Sequence, residues 1–263
     1  VTPGRKHAAD PKSTGLLVHA VRFPSARDSV MLNGWWFEGP AKSSVVVLCP
    51  RGQGTMADLL PAVTEFARRG FTVMTYDLRD FGPAGPGDVD SLRDVIFASR
   101  WVDDTEGAFR YARAHADSQA VFAWGQDLGG PLAVAATARN RHPVDALVVE
   151  GLFRTAQEQI LWNGTSQAPG VAYRHRQLVD VLDDPLSAVA NLRVPLMVIL
   201  AMKDTVTPAE VTDGVTGRSL SRIDRWRLPT AGHDDAMRVP GYFDKLAGWY
   251  KLLAFNRRHP LGY

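Results

Sequence analysis

The run Val121-Phe122-Ala123-Trp124-Gly125-Gln126-Asp127-Leu128-Gly129-Gly130 decides how this chain is read. Its first half is apolar enough for a strand covered on both faces. Its second half is a glycine-flanked turn that opens directly into a helix over Pro131 to Arg139. A strand that breaks into a helix through such a turn presents the middle residue at the top of a sheet. That is the context of the G-x-S-x-G motif, in which the middle residue is serine. Here it is Asp127. The tip of the turn is strained and crowded, so Gly125 and Gly129 serve by removing Cβ atoms, and Gly130 lets the helix approach the sheet. Taken alone, the same residues also suit an ordinary loop, because Gly and Asp favour turns. The rest of the chain has to decide.

Upstream, Leu16 to Phe23 and Val30 to Phe37 read as a β-hairpin or meander at a sheet edge. Ser44 to Leu48 is a short β-branched run fit for a buried strand. Met56 to Arg69 carries apolar residues at helical spacing, with Gly70 where a C-cap belongs. Phe71 to Tyr76 is the next strand, and a helix is predicted over Val95 to His115. Downstream, strands at Ala146 to Val149, Leu196 to Leu200 and Arg225 to Leu228 alternate with helices at Pro208 to Val215 and Tyr242 to Phe255. This alternation predicts an α/β fold, a mostly parallel twisted sheet with helices on both faces. Residues 153–192 break the rhythm, and a short lid or a plain helical connection both fit them. The polar residues 1–15 are expected to form a flexible arm, 16–256 the domain and 257–263 a tail.

The 263 residues suffice for one large domain. With 45% hydrophobic and 22% charged residues, the composition is that of an ordinary soluble protein. A net charge of +2, from 30 basic and 28 acidic side chains, argues against a nucleic-acid-binding surface. The single cysteine, Cys49, ends an apolar strand and reads as packing rather than as a nucleophile. No apolar run approaches the ~20 residues of a membrane span, so a soluble protein, cytoplasmic or exported, is expected. No His/Cys cluster has metal-ligand spacing, and no cofactor is expected. The expected partner is a small-molecule substrate, and the sequence says nothing of oligomeric state.

Ligands in α/β sheets gather beyond the carboxyl ends of the strands. The polar side chains placed there are Arg51 and Gln53, Asp77, Asp127, Glu150, Asp204 and His233. The order Asp127, Asp204, His233 is that of a nucleophile, an acid and a histidine along the chain. From Val18 to Phe255 the chain therefore resembles the α/β-hydrolase superfamily, and specifically its compact, small-lidded members. Asp77-Leu78-Arg79-Asp80-Phe81-Gly82 is similar to a family loop that has glycine at the place of Asp80, and Pro50-Arg51-Gly52-Gln53-Gly54 to the oxyanion segment, with Arg51 replacing histidine. The resemblance implies that His233 is a base oriented by Asp204. It also implies that the backbone N–H groups of Leu128 and Gln53 form an oxyanion hole. Glu150 is a second candidate acid, because relatives with an aspartate nucleophile place one there. Asp204 is preferred. Asp234 and Asp235 read as helix-capping residues.

An aspartate cannot usefully replace serine in attacking an ester, since the mixed anhydride would return the carboxylate. Its productive reaction is displacement at a saturated carbon bearing a halide or an epoxide oxygen, giving an ester on Asp127 that water activated by His233 hydrolyses. Haloalkane dehalogenases and epoxide hydrolases resemble the chain at this turn. It departs from them in Leu128, which offers no side-chain donor to a halide, in the short insertion, and in having Tyr173 as the insertion's only tyrosine. The alternative is a serine-esterase relative whose nucleophile became Asp127, leaving a scaffold with little or no activity. A further reading, an interaction module using Trp35, Trp36 or Trp162, competes with the commoner placement of such residues in a core.

Overall fold

The computed structural model describes residues 2–4, 6–83, 97–117, 119–139, 143–162, 180 and 183–259. Eight strands form one sheet. They are β1 (Val18–Pro24), β2 (Met31–Phe37), β3 (Val45–Cys49), β4 (Thr72–Tyr76), β5 (Val121–Gln126), β6 (Ala146–Glu150), β7 (Leu196–Ala201) and β8 (Ile223–Leu228). Their order across the sheet is β1-β2-β4-β3-β5-β6-β7-β8. β1 pairs antiparallel with β2, and β2 with β4; the other pairings are parallel. The sequence separates inner strands from the edge. β3 to β7 are buried at every position and nearly all apolar, as strands covered on both faces must be, whereas β1 alternates towards solvent. The expected α/β-hydrolase fold is the one observed.

Helices cover both faces. α1 (Leu60–Arg68) and α7 (Tyr242–Arg258) pack Val63, Phe66, Leu246 and Tyr250 on one side. On the other, α2 (Ser99–His115), α3 (Gly129–Arg139), α5 (Pro185–Asn191) and α6 (Ala209–Thr216) bury Trp101, Phe109, Leu132, Val134, Ala188 and Val215. Between β6 and α5 lies α4 (Ala156–Trp162). Within the insertion, 163–179 and 181–182 fall outside the described residues, and Tyr173 with them.

One helix differs from its sequence pattern. The run Met56 to Arg69 is a 3-10 turn, Met56–Leu59, followed by α1. Thr55 and Asp58 close a capping box on the turn, and Pro61, lacking an N–H, suits only a helix's opening positions. Gly70 ends α1 at φ 85°, as expected of its C-cap place.

The stretch read as a loose arm lies against the domain at several points. Thr2–Pro3 pairs in parallel with Gln53–Gly54, and Gly4 N–H donates to the Gly54 carbonyl at 2.6 Å. His7 Nε2 lies 2.7 Å from Asp77 Oδ2, its ring edge-on to Trp35. Backbone pairing leaves no mark on composition, which is why polar residues here read as an arm. At the other end, α7 runs on to Arg258, past the predicted stop at Phe255.

Candidate active site

The strand order reverses around β3, and the turn after its neighbour β5 carries Asp127. Asp127 has φ 50°, a left-handed conformation that costs a non-glycine residue roughly 1–2 kcal/mol and persists only when its surroundings impose it. The glycines show what imposes it. A Cβ on Gly129 would lie 2.6 Å from the Cys49 carbonyl oxygen, and one on Gly125 would lie 2.7 Å from Gly130 N and nearer still to the Gly129 carbonyl. One on Gly130 would meet the Glu150 carbonyl at 3.0 Å. β3, β5, β6 and α3 therefore close on the turn from all sides, and the Asp127 side chain projects from it 26% exposed.

His233, in the loop after β8, meets this carboxylate. Its Nε2 is 3.9 Å from Asp127 Oδ1, and its Nδ1 is 2.9 Å from Asp204 Oδ2. With Nδ1 donating to Asp204, Nε2 is left facing Asp127. Asp204 is itself held by three donors at its own loop: Val206 N–H at 2.8 Å, Thr207 N–H at 2.9 Å and Thr207 Oγ1 at 2.8 Å. Burial works to raise the Asp204 carboxyl, but the hydrogen bonds from His233 and Thr207 outweigh it and hold the group below its ordinary value. The bond to Asp204 raises His233, assisted by the charge of Asp127 and opposed by burial. Burial raises Asp127 despite the nearby His233 and Arg51 cations.

The remaining residues marked in the sequence divide. Glu150 does not touch the imidazole: it is 2% exposed, and its Oε2 accepts from Gln126 Nε2 at 2.8 Å. Arg51 Nη2 donates to Asp234 Oδ1 at 2.5 Å, bridging the loop after β3 to the histidine loop. Leu128 is buried, and Gln53 is exposed with its backbone paired to Thr2. Asp77 accepts Met56 N–H at 2.8 Å and His7, a structural task. Asp80 takes Arg100 Nε at 2.8 Å and Trp101 Nε1 at 2.7 Å, which accounts for a carboxylate where glycine was expected. The capping reading of Asp234 and Asp235 is corrected. Asp234 pairs with Arg51, and Asp235, though it precedes the turn Ala236–Arg238, spends its carboxylate on Gly232 N–H at 2.5 Å instead.

Two residues escaped the sequence reading. Thr207 clamps Asp204, and its place three residues after Asp204, before Pro208, carried the signal of a side-chain-closed turn. Gly151, at φ 75°, brings the end of β6 against Asp127 N and Thr207 Oγ1, where a Cβ would lie 3.7 and 2.8 Å from them. Nothing local in sequence marks it. Among the described residues no group of His, Cys, Asp and Glu could hold a metal ion, and no helix is long and apolar enough to cross a membrane.

A mostly parallel eight-stranded sheet with a strained turn after its fifth strand defines an α/β-hydrolase. The model of the family described as serine aminopeptidase, S33, matches residues 40–171, just over half of the chain. The chain belongs to this family and is a hydrolase of the α/β-hydrolase type. Protein bem46 of Schizosaccharomyces pombe is 20% identical over 252 residues, covering 92% of this chain and 80% of that protein. Among solved structures, the Pyrococcus furiosus esterase Pf2001 superposes with TM-score 0.75 at 16% identity, covering 96% of this chain and 99% of that one. Pyrococcus horikoshii acylaminoacyl peptidase gives TM-score 0.67 at 17% identity, over 92% of this chain and 41% of that one.

Proposed function

We propose that the protein hydrolyses a small electrophile through a covalent ester on Asp127. A carboxylate oxygen of Asp127 attacks a saturated carbon bearing a halide or an epoxide oxygen. The new C–O bond forms as the carbon–halogen or ring C–O bond breaks, and the electron pair goes to the halide, which departs, or to the epoxide oxygen, which stays on the alkyl group and takes a proton from water. His233 Nε2 then takes a proton from water, and the resulting hydroxide adds to the Asp127 carboxyl carbon. Collapse of that intermediate expels the product alkoxide, which recovers the proton from His233. The Asp127 carboxyl then gives up its proton, so that a haloalkane and one water yield an alcohol, a halide ion and a proton, and an epoxide and one water yield a diol.

The observation that carries this reading is the 3.9 Å between His233 Nε2 and Asp127 Oδ1. The imidazole is too far for a direct hydrogen bond and near enough to act through one water. Electrostatics favours the same order of steps. The bond to Asp204 raises His233 and the Asp127 charge adds to it, so esterifying Asp127 removes that addition and makes the imidazole readier to accept a proton when a base is needed. Backbone N–H groups of Leu128 and Gln53 are assigned to the oxyanion of the second step, and the loop bearing Arg51 flanks the site.

Single turnover in oxygen-18 water tests the mechanism on a panel of haloalkanes and epoxides. The first product molecule should carry ordinary oxygen taken from Asp127, and Asp127→Ala should abolish turnover. Product labelled fully from solvent on the first turnover would exclude the covalent ester. A second reading, a serine-hydrolase relative that lost its nucleophile, is favoured by the family match to a serine aminopeptidase. It predicts no turnover of the panel, and ester hydrolysis appearing in Asp127→Ser.

A further inference from the structure

Beneath Asp127 lies a second acid. Glu150 and Gln126 are register partners on β6 and β5, joined by the 2.8 Å bond from Gln126 Nε2 to Glu150 Oε2. Tyr242 Oη, on α7, donates to the same oxygen at 3.4 Å and receives Trp124 Nε1 at 3.1 Å. The two remaining oxygens of the pair, Glu150 Oε1 and Gln126 Oε1, are both buried with no partner among the described residues. An ionised carboxylate and an amide oxygen are acceptors only, so in that state neither can satisfy the other. One hydrogen satisfies both. A carboxylic acid and a primary amide side by side close a ring of two hydrogen bonds, the amide N–H donating to one acid oxygen and the acid O–H to the amide oxygen.

We propose that Glu150 carries a proton in the resting protein, donates it to the Gln126 side-chain oxygen, and by holding or releasing it sets the protonation of His233. Glu150 is thus a positioning residue, acting on the site through its charge. The groups that face it act in both directions. Burial comes first and pushes its carboxyl up to about 7, while the bond from Gln126 and the Arg51 charge lower it, Asp204 raises it and His233 lowers it. Arg51 does not relieve the pair, because Nη2 is bonded to Asp234 and Nε is buried without a partner among the described residues. While Glu150 is neutral, Asp204, Asp127 and Asp234 are the carboxylates that His233 senses. Once Glu150 ionises, a further negative charge holds the imidazole proton more tightly and delays His233 from becoming a base.

The proposal deepens the covalent-ester reading but is read without substrate, so the two fail separately. Infrared difference spectra of the full chain between about pH 5 and about pH 9 should show a protonated carboxyl band, lost at the higher pH. The band should persist in Asp127→Asn and vanish in Glu150→Gln. Ring NMR of His233 should show a broadened titration in the native protein. In Glu150→Gln the midpoint should move to lower pH, with the slope of a single proton. Absence of the band in native protein, which requires no variant to fold, would overturn the proposal. An unchanged His233 titration in folded Glu150→Gln would overturn its effect on the site.

Discussion

Replacing Gly125 by alanine tests the packing that forces Asp127 out of the sheet. A Cβ there would sit 2.7 Å from Gly130 N and closer still to the carbonyl carbon and oxygen of Gly129, whereas real Cβ atoms essentially never come within 3.0 Å of another atom. All three obstacles are backbone, so no side chain can swing aside, and α3 must shift away from β5. Overpacking a tight core costs typically about 1–3 kcal/mol, and a backbone clash belongs at the upper end. We expect a loss of about 3 kcal/mol in urea unfolding, which corresponds to a melting point lower by roughly 6–12 °C in a chain of this size. Moving the turn also moves Asp127 from its 3.9 Å approach to His233, so turnover should fall more than stability alone explains. A loss below about 0.5 kcal/mol, within the scatter of surface substitutions, would refute the claim that close packing imposes the strained turn.

Other outcomes follow from the same contacts. Asp204→Asn removes the charge that His233 Nδ1 meets at 2.9 Å, and hydrogen bonds to charged groups contribute about 1.5–3 kcal/mol; stability should fall by that order, and NMR should show the His233 midpoint moving down. Gly248 sits exposed in α7 with open space around its Cβ position, so Gly248→Ala should stabilise the protein by about 0.5–1 kcal/mol in chemical denaturation. Glu150 is raised from 4.5 to about 7 in the folded chain, so the fold binds its proton more tightly than the unfolded chain does. Its contribution is fully present below pH 4.5 and lost as pH rises through about 7, a decline of about 3 kcal/mol that Glu150→Gln should flatten in unfolding curves taken across that range.

The fold was legible because its signals are local and repeated. β3, β5, β6 and β7 announce burial on both faces through uninterrupted apolar runs, and the Gly-x-Asp-x-Gly turn fixes where a strand becomes a helix. Asp204 and His233 could be marked because each follows a strand at the sheet's ligand-binding edge. What joins them was not legible. Thr207 bracing Asp204, Asp234 turning to Arg51 and His7 meeting Asp77 are contacts 3, 183 and 70 residues apart in sequence number, and only the first lies within a local pattern. The N-terminal stretch reads as an arm for a related reason: its pairing to Gln53–Gly54 is made by backbone, which any polar sequence can supply. Glu150 was read as a rival acid, since sequence places it at the right edge but cannot say that Gln126 on the adjoining strand claims it first.

The most direct test of the account is intact-protein mass spectrometry of His233→Gln after exposure to the haloalkane and epoxide panel. With the imidazole gone, the first displacement proceeds and the second stalls, so the predicted result is one added alkyl group, mapped by peptide fragmentation to Asp127. A folded variant that gains no adduct from any member of the panel, or gains one elsewhere while Asp127 stays bare, would contradict it.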